Sequence, residues 1–547
     1  MDTRSLLIRF PAFPFSFCDL TPDSELARLA ASLIDAGHSA EIADFGTVAV
    51  LDRLFPHEHQ ASLQSLLDRA DKSSAWNPLA GLISAWRTHG AAECYRSKRD
   101  SLCTDIAREI AGRRDVRVVA FKVDSVGNID TVHRIAREIR STNSRTILVG
   151  VGKNVELAQN QFLGSSGPLD ALLLSDASEA LIELVSHGDG PVDWSVAPNA
   201  LYRCNGEIRR SARTASVQFL DIFPTPNYSR EVYPTASNGE KARVFTIEER
   251  SGPARAKPAA GPSGKAVSAP ARELVQLHAL YGATAFHIDA GSSSHDQLRA
   301  LVREVLFRRL RLSFSMNAAV ENVDAIVLAA LKSSGCRALG LDTPSGSQRL
   351  LMDYYQRPFG VTQLEQALRA SKAAGLYTVA HLTYPSPHDD YHTEAETLRV
   401  LDRTRPHAAP IHPVGPKLSA ASRYEPPGAR PRNLRPEVVY AMGTAWDWLR
   451  ETEPVSVSPC AARRTLAEAI EKRRISARVT EYTALLASLA GYSGLEDEFW
   501  RIVQRQFFSG DCAGIATWIG ALNEAACDPA RACAAEPWGQ IQSAVGN

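Results

Sequence analysis

The segment from His388 to Glu394, HDDYHTE, places two histidines, two aspartates and one glutamate within a short stretch of chain. Imidazole and carboxylate groups at this density can bind a metal ion or act as an acid–base pair. The same residues also suit a helix N-terminus, with Asp389 or Asp390 as the N-cap and Glu394 complementing the helix dipole. Because acidic residues are common in a first turn, we favour the cap and expect no metal site.

A second set of polar residues lies on or beside strands predicted farther along the chain. His287 and Asp289 alternate with Ile288 in TAFHIDA (284–290), so both side chains point to the same side of the strand. This pair suggests a substrate pocket, and a hydrogen-bonded core pair fits equally well. His412 lies in a proline-rich segment, RPHAAPIHPVGP, which either holds substrate at a barrel rim or forms an exposed loop, the alternative that we favour.

Three loops in the first 190 residues each follow a predicted strand, where a doubly wound sheet binds its ligands. The loop Pro11–Pro22 is aromatic and stiffened by proline, so it can lie across a large flat ligand. VDSVGN (123–128) supplies small polar groups, and LVGVGKN (148–154) places glycines before a helix N-terminus. Arg9 and Lys122 lie near strand ends, where a phosphate-bearing cofactor could meet them. The alternative is that all three loops are tight turns of an ordinary flavodoxin-like domain.

The elements that position these residues alternate between strand and helix. In residues 1–190, short and uniformly apolar strands predict a parallel sheet covered on both faces, with a helical insertion at about 48–113. Residues 191–235 read as a connector. Successive βα units over 236–425 predict a full or partial TIM-type barrel, and 3.6-residue apolar periodicity over 430–547 predicts a C-terminal helical domain. The predicted fold class is therefore α/β.

Charge and cysteine content exclude several classes of protein. Lys plus Arg and Asp plus Glu both total 61 among 547 residues, so the net charge favours neither a nucleic-acid nor an anionic-membrane partner. The apolar run before Pro11 is short for a signal peptide and far short of a membrane span, so we expect a soluble cytoplasmic protein. The nine cysteines are scattered and show no CxxC or CxxxCxxC spacing, and we interpret most as reduced and buried.

The first 190 residues resemble the cobalamin-binding domain of cobalamin-dependent radical SAM proteins. The resemblance lies in the opening from LLIRFPAFPF to EIADF, in ILVGVGKN, and in LLLSDASEALIELV, which matches a segment usually written Gly-Glu-Gly-Glu. Glu179 is kept there, and Asp176 stands among the residues that replace the glycines. The DxHxxG motif is absent, so the resemblance implies cobalamin without a protein histidine on its lower face. It implies these cobalamin-binding residues: Pro11, Phe13, Pro14, Phe15, Asp124, Ser125, Val126, Gly150, Gly152, Asp176 and Glu179.

Residues 236–425 resemble the radical SAM barrel. GCRALGLDTPSGSQRLL is similar to a family strand and turn in which a Glu usually stands at the position of Asp342. LYTVAHLTYPSPHDDYHTEAETLRVL is similar to a later segment, with Thr383, Ser386 and Pro387 in place of glycine and acidic positions. The resemblance implies that Asp342 and Asn317 lie near S-adenosylmethionine. In the family, the loop after the first barrel strand holds a 4Fe–4S cluster with CxxxCxxC, but here that loop is SGPARAKPAAG (251–261).

Taken with the missing cysteines, the resemblance implies a polar reaction without an iron–sulfur cluster. Cobalamin would receive a methyl cation from S-adenosylmethionine and pass it to a nucleophilic small-molecule substrate of natural-product biosynthesis. S-adenosylmethionine is therefore a possible second cofactor. The alternative is a non-catalytic protein that stores cobalamin or acts as a scaffold for an active protein partner. No residue is assigned a catalytic role from the sequence.

Overall fold

The computed structural model describes fifteen stretches of the chain. They are residues 4–11, 16–61, 78–113, 115–123, 128–143, 145–152, 155–165, 167–174, 177–186, 192–213, 224–248, 269–290, 294–386, 388–412 and 459–527. Several sequence predictions lie outside them, namely those on Phe13, Pro14, Phe15, Asp124, Ser125, Val126, Asp176, Pro387 and the loop 251–261. The described chain folds as two units. The first holds 4–243 with Ile502–Asn523, and the second holds the residues from Val244 to Arg501 with 524–527.

The first unit is built on a seven-stranded sheet with the order β2-β1-β3-β4-β5-β6-β7. Strands β1 to β5 are parallel, and β6 and β7 add an antiparallel hairpin at one edge. The strands are β1 (Arg4–Arg9), β2 (Ser39–Asp44), β3 (Val116–Lys122), β4 (Ile147–Val151), β5 (Ala171–Leu173), β6 (Ala200–Cys204) and β7 (Glu207–Arg210). The order 2-1-3-4-5 is that of a flavodoxin-like sheet, in which the direction of winding reverses between β1 and β3.

Helices cover this sheet because the residues of β1, β3, β4 and β5 are largely apolar and buried. They are α1 (Ser24–Asp35), α2 (Val48–Leu54), α3 (Pro78–Gly112), α4 (Ile129–Thr142), α5 (Gln159–Leu163), α6 (Ser178–Ser186) and α7 (Pro234–Ser237). Asp23 is the N-cap of α1 and accepts a hydrogen bond from the backbone N–H of Leu26 at 2.8 Å. Helices α2 and α3 lie in the segment predicted as a helical insertion.

Residues 191–235 were predicted as a connector. The structure has the hairpin β6–β7 within this segment. Its two strands are joined by Asn205 and Gly206, which have positive φ angles of 52° and 82°. Such values at both central residues define a two-residue turn for which Asn-Gly is the preferred sequence. The dipeptide NG between LYRC and EIRR was therefore a readable hairpin signal, and these residues extend the first sheet.

The second unit is built on a six-stranded parallel sheet in which the strands follow one another in chain order. They are β8 (Val244–Glu248), β9 (Ala285–Ala290), β10 (Ser313–Ala318), β11 (Cys336–Asp342), β12 (Tyr377–Thr383) and β13 (Ile411–His412). The connecting helices are α8 (Ala269–Tyr281), α9 (His295–Phe307), α10 (Ala325–Ser333), α11 (Val361–Ala373) and α12 (Tyr391–Thr404). A sequential order of this kind is that of βα-barrel units, whose sites lie at the carboxyl ends of the strands.

Four helices complete the described chain: α13 (Pro459–Glu471), α14 (Glu481–Leu489), α15 (Glu496–Ser509) and α16 (Cys512–Cys527). Helix α14 lies against β10, β11 and β12. Its Ala484 shares an apolar cluster with Ala338 of β11 and Val379 of β12. The predicted α/β fold class, with a doubly wound sheet, consecutive βα units and C-terminal helices, is confirmed.

Candidate functional site

The carboxyl edge of the first sheet contains a buried network of charged side chains. Arg9 at the end of β1 faces Asp44 at the end of β2, with 3.4 Å between Nη1 and Oδ2. Lys122 at the end of β3 lies 2.6 Å from Asp23, which itself lies 3.6 Å from Arg9. These contacts tie three neighbouring strands to the N-terminus of α1.

Lys241 completes this network from a position just before β8. Its Nζ lies 2.7 Å from Asp44 and donates hydrogen bonds to the backbone oxygens of Asp19 and Gly46 at 2.8 and 2.6 Å. The side chain is fully buried, and this burial lowers the pKa of Lys241 to about 8. Burial alone would raise the pKa of Asp44, but Lys241 and Arg9 outweigh it and hold that pKa below its usual value.

The network overturns one expectation from the sequence. Arg9 and Lys122 were expected to meet a phosphate-bearing cofactor, yet both are buried and paired with carboxylates of the same unit. A guanidinium or ammonium group that is already neutralised in this way has little charge to offer a phosphate. The physical reason is that buried carboxylates cluster at these strand ends and require cations as partners.

Asn128 is the first described residue after the loop that follows β3. It is 3% exposed, and its Nδ2 donates to the backbone oxygen of Lys122 at 3.2 Å. Its Oδ1 is buried and accepts no hydrogen bond from the described residues. A buried acceptor without a partner costs free energy, so a ligand with N–H or O–H groups would be stabilised here.

Four other residues that the sequence proposed for cofactor binding are described. Pro11 is buried. A Cβ on Gly150 would lie 2.8 Å from Leu172 and 2.9 Å from Val155, so core packing explains this glycine. Gly152 has a φ of 120°, a backbone conformation that favours glycine. The carboxylate of Glu179 is paired with the guanidinium of Arg213. Their roles toward a cofactor stay predictions.

In the second unit, polar side chains lie near the carboxyl ends of the strands. His287 Nδ1 is 3.0 Å from the hydroxyl of Ser315, and its ring contacts Tyr482 of α14 edge-on at 5.1 Å. Asn317 donates to Asp289 at 2.9 Å. Since α14 lies against this sheet, His287 is on the face that the helix covers. Burial lowers the pKa of His287, so the imidazole is neutral at pH 7.

His381 and His412 lie on neighbouring strands and share a hydrogen bond. His381 Nδ1 is 2.9 Å from His412 Nε2, while His381 Nε2 is 2.5 Å from the carboxylate of Glu481. Pairing of β12 with β13 fixes the first contact, since Tyr384 N–H donates to the backbone oxygen of His412 at 3.0 Å. Glu481 comes from the first turn of α14, whose N-cap is Thr480.

The pKa values in this chain of groups shift in opposite directions. Burial would lower the pKa of His381, but the Glu481 carboxylate outweighs it and raises that pKa above 6.5. Burial would raise the pKa of Glu481, but His381 lowers it to about 2. Loss of hydration and the positive charge of His381 together lower the pKa of His412. The favoured arrangement is a carboxylate, a protonated or readily protonated His381, and a neutral His412.

Gly340 makes room for this arrangement. A Cβ at that position would lie 2.6 Å from both Glu481 Oε2 and His381 Nε2, closer than real carbon atoms approach. Gly340 pairs with Asn317 of β10 and Val379 of β12, so it lies in the middle of the sheet. The glycine therefore allows the carboxylate of α14 to reach the imidazole of β12.

Asp342 is at the carboxyl end of β11 and is about half-exposed. Its carboxylate pairs with the guanidinium of Arg357. With Glu248 and Asp289, which are register partners at the ends of β8 and β9, it gives this edge three carboxylates. Such an edge would favour a cationic ligand, and the proposed contact of Asp342 and Asn317 with S-adenosylmethionine stays a prediction.

HDDYHTE is a helix N-terminus, as favoured from the sequence. Asp390 is the N-cap of α12 and accepts hydrogen bonds from the N–H groups of His392 and Thr393, both at 2.9 Å. Glu394 accepts a hydrogen bond from the Tyr384 hydroxyl at 2.8 Å. Within the described residues, no three His, Cys, Asp or Glu side chains converge as metal ligands would.

Cys336 is the one cysteine on a described barrel strand. It is the first residue of β11, at the end opposite to Asp342, and burial raises the pKa of its thiol to about 12. Cys336 therefore packs as a small buried side chain.

Sequence reasoning missed His381 and Glu481. His381 stands in LYTVAHLTY, on the same strand face as Tyr377 and Val379, and this alternation was a usable signal. Glu481 offered none, because only the packing of α14 against the sheet brings it to His381.

The fold is shared with solved structures of cobalamin-dependent radical SAM enzymes. TsrM from Kitasatospora setae, a radical S-adenosylmethionine methyltransferase solved with cobalamin and a 4Fe–4S cluster, is 13% identical with a TM-score of 0.59, covering 94% of this chain and 100% of that chain. Its structure with tryptophan and aza-SAM has 16% identity and a TM-score of 0.53, covering 75% of this chain and 72% of that chain. This chain has the fold of those enzymes.

The chain is also similar, at a lower TM-score, to OxsB, a cobalamin-dependent S-adenosylmethionine radical enzyme solved with aqua-cobalamin and S-adenosylmethionine. It has 12% identity and a TM-score of 0.50, and covers 87% of this chain and 62% of that chain. No family model and no curated protein matches the sequence. Within the described residues, no helix is long and apolar enough to cross a membrane.

Proposed function

We propose that this protein binds cobalamin at the carboxyl ends of β1 and β3 and takes part in methyl transfer from S-adenosylmethionine to a small-molecule nucleophile. The observation that carries the proposal is the combination of fold and sheet order. Structures of TsrM and of OxsB with this fold have been solved with cobalamin bound, and a sheet of order 2-1-3-4-5 binds its ligand between β1 and β3.

The residues at this edge suit a corrin. The unpaired Oδ1 of Asn128 needs a donor, and the amide groups at the rim of a corrin are donors. The loops after β1 and β3, which include Phe13, Phe15, Asp124 and Ser125, would contact the macrocycle. No histidine stands among the loop residues 124–127, in keeping with a cobalt that receives no imidazole from the protein. The ion network beneath holds the strand ends in place.

We propose that the transfer is polar and needs no iron–sulfur cluster. Bound cobalamin supplies a cobalt centre that takes a methyl group from a sulfonium donor and delivers it to a nucleophile. Reductive cleavage of S-adenosylmethionine needs a cluster held by cysteine thiolates, and the sequence has no CxxxCxxC. The protein would supply proximity and a site from which water is excluded.

The carboxylates of the second unit support a cationic methyl donor. Glu248, Asp289 and Asp342 lie at strand ends, where a sulfonium or ammonium group would be attracted. Asn317 lies beside Asp289 and adds hydrogen-bonding capacity. His287 and His412 are proposed to face the substrate.

Incubation with hydroxocobalamin followed by gel filtration and absorption spectroscopy tests the binding. The proposal expects one corrin per chain and severalfold weaker retention by Asn128→Leu, since a neutral hydrogen bond contributes about 0.5–1.5 kcal/mol. A folded wild-type protein that elutes without corrin bands contradicts it. Circular dichroism of Asn128→Leu is the control for its folding, and the spectrum should match that of wild type.

Thermal shift separates the enzyme from a non-catalytic cobalamin-binding protein. A ligand that binds the folded state raises the melting temperature by mass action. The enzyme requires a shift with S-adenosylmethionine as well as with cobalamin. A shift with cobalamin alone would instead support a storage or scaffold role with a protein partner.

A further inference from the structure

We infer that Glu481, His381 and His412 form a proton relay that accepts a proton from the substrate, with His412 as the entry group. This inference rests on the proposed function, because a substrate N–H, O–H or S–H group that is methylated to a neutral product gives up its proton in the reaction. It assigns a chemical role to two residues, His381 and Glu481, that were not among the candidates named from the sequence.

The geometry is that of a relay because the three groups are joined end to end. The carboxylate of Glu481 accepts from His381 Nε2, and His381 Nδ1 is in hydrogen-bond contact with His412 Nε2. This leaves His412 Nδ1 outside the chain of hydrogen bonds. His412 is the exposed member, whereas His381 is 19% and Glu481 6% exposed in their side chains. Among the three described side chains, His412 is therefore the one that a substrate can reach most readily.

The proton balance follows from these contacts. His412 Nδ1 takes the proton of a substrate N–H, O–H or S–H group, and the electron pair of that bond stays on the substrate for the new bond to the methyl carbon. His412 releases its Nε2 proton to the lone pair on His381 Nδ1. His412 ends neutral with its tautomer exchanged, and His381 ends as an imidazolium whose Nε2–H still donates to Glu481.

The surroundings favour storage of the proton on His381 and not on His412. Glu481 raises the pKa of His381, while loss of hydration and the charge of His381 lower that of His412. Among the described residues, the other charged or titratable groups that face the relay are Asp342 of β11, His287 of β9 and Arg463 of α13. Asp342 assists His381, and Arg463 opposes a second positive charge on His412.

Two structural features support the role of Glu481, His381 and His412 as a proton relay. Gly340 leaves the space that the Glu481–His381 contact fills, at a strand position where a larger residue would pack against α14. The relay also lies at the carboxyl ends of β12 and β13, the edge where barrel enzymes place their catalytic groups.

Histidine titration by NMR tests the relay without any cofactor. The relay requires His381 to titrate above 6.5, to titrate lower in Glu481→Gln, and to change its titration in His412→Ala. Titration of His381 at 6.5 with no response to either substitution overturns the inference. Since this readout needs no cobalamin, it decides the relay even where the corrin spectrum overturns the proposed function.

Methyl transfer by the cobalamin-loaded full chain gives a second readout. His412→Ala should lower the rate at least 100-fold, in line with general-base contributions of about 10²–10⁴. Added imidazole should restore part of it, because His412 is exposed and a small base can occupy its place. The wild-type rate should rise with pH as His381 loses its proton, and the inflection should move to lower pH in Glu481→Gln.

The matched control is His392→Ala, which removes an exposed histidine of α12 that lies outside the relay. Its rate should stay within twofold of wild type. A His412→Ala variant that keeps its rate within threefold, or that loses it without recovery in imidazole, overturns the role of His412 as the entry group.

Discussion

The charged groups at the carboxyl ends of the two sheets differ in their burial and in their ion pairing. In the first unit, Asp44 and Lys241 have fully buried side chains, and each finds its partners inside the protein. In the second unit, the side chain of Asp342 is 50% exposed and His412 keeps a solvent-facing edge. Both edges are rich in charge, but Asp44 and Lys241 of the first are buried, whereas Asp342 and His412 of the second reach solvent.

This difference separates charged groups that stabilise the fold from charged groups that are available for chemistry. Burying an ion pair costs desolvation energy that only good geometry repays, so such a network fixes its elements in place. Arg9, Lys122 and Lys241 bind β1, β3 and the segment before β8 to common carboxylates. The Glu481–His381–His412 chain instead ends at an exposed imidazole, which is what a proton acceptor for a substrate requires.

The largest effect is expected from Lys241→Met. It leaves the buried Asp44 carboxylate with fewer partners and removes donors from the backbone oxygens of Asp19 and Gly46. Loss of one partner from a buried pair costs about 3–5 kcal/mol. We expect a fall of this size in the apparent free energy of unfolding, measured in denaturant.

The control for Lys241→Met is Arg209→Met, in an exposed pair with Glu207. Exposed pairs contribute about 0–1 kcal/mol, so its stability should hardly change. Adding Asp44→Asn to Lys241→Met should recover part of the loss, because the uncompensated charge is then removed. Equal effects of the Lys241 and Arg209 substitutions would show that the buried network stabilises the fold no more than an exposed ion pair does.

The next effect concerns Gly340→Ala. Its new methyl group would meet Glu481 and His381 at 2.6 Å, so the pair must move apart. Overpacking of this kind costs about 1–3 kcal/mol, and NMR should show the pKa of His381 falling toward 6.5. Gly520→Ala in α16 is the matched control, since nothing lies within 4 Å of its new Cβ. It should leave stability unchanged or raise it, because alanine is the better helix former.

The pH dependence of stability should differ between wild type and Glu481→Gln. The raised pKa of His381 means that its contribution is present below about 6.5 and is lost as pH rises through the folded-state value. The pKa of Glu481 is lowered to about 2, so its contribution is present above its ordinary value and is lost as pH falls toward 2. Each unit of pKa difference corresponds to about 1.4 kcal/mol.

Thermal melting between pH 5 and 9 measures this dependence. Wild type should lose stability relative to Glu481→Gln as pH rises above about 6.5. Parallel melting curves for the two proteins across this range would show that the pair is not coupled as the structure indicates.

The smallest effect is expected from Asp390→Ala. This residue caps α12, and loss of an N-cap costs about 1 kcal/mol. Because HDDYHTE is a cap, the substitution should not change the titration of His381 or the rate of methyl transfer. A loss of activity larger than the loss of folded protein would show that this segment is part of the functional site.

Most of the fold could be predicted from the sequence because apolar strands and amphipathic helices leave local patterns. Asp23 and Asp390 were readable as helix caps for the same reason. The hairpin β6–β7 was not predicted, although the dipeptide Asn205-Gly206 is a sequence signal for its turn. Arg9 and Lys122 were misjudged, since the carboxylates that neutralise Arg9 come from three separate places in the chain.

The candidate site was harder to predict for the same physical reason. His287, Asp289 and His412 could be named as candidates because polarity and strand alternation are local properties of the sequence, and their roles stay predictions. The contact that raises the pKa of His381 is with Glu481, which is 100 residues away in the chain. A single sequence has no local signal for such a pair, and Gly340 becomes meaningful only once both side chains are placed.

The most direct test of the central claim is a transfer experiment on one sample of the full-length chain. The protein is loaded with cobalamin under reducing conditions, its iron and sulfide are quantified, and S-adenosylmethionine with a labelled methyl group is added. The account predicts that label reaches the protein-bound corrin while iron stays far below one atom per chain. Stoichiometric iron and sulfide, or a loaded corrin that gains no label, would contradict it.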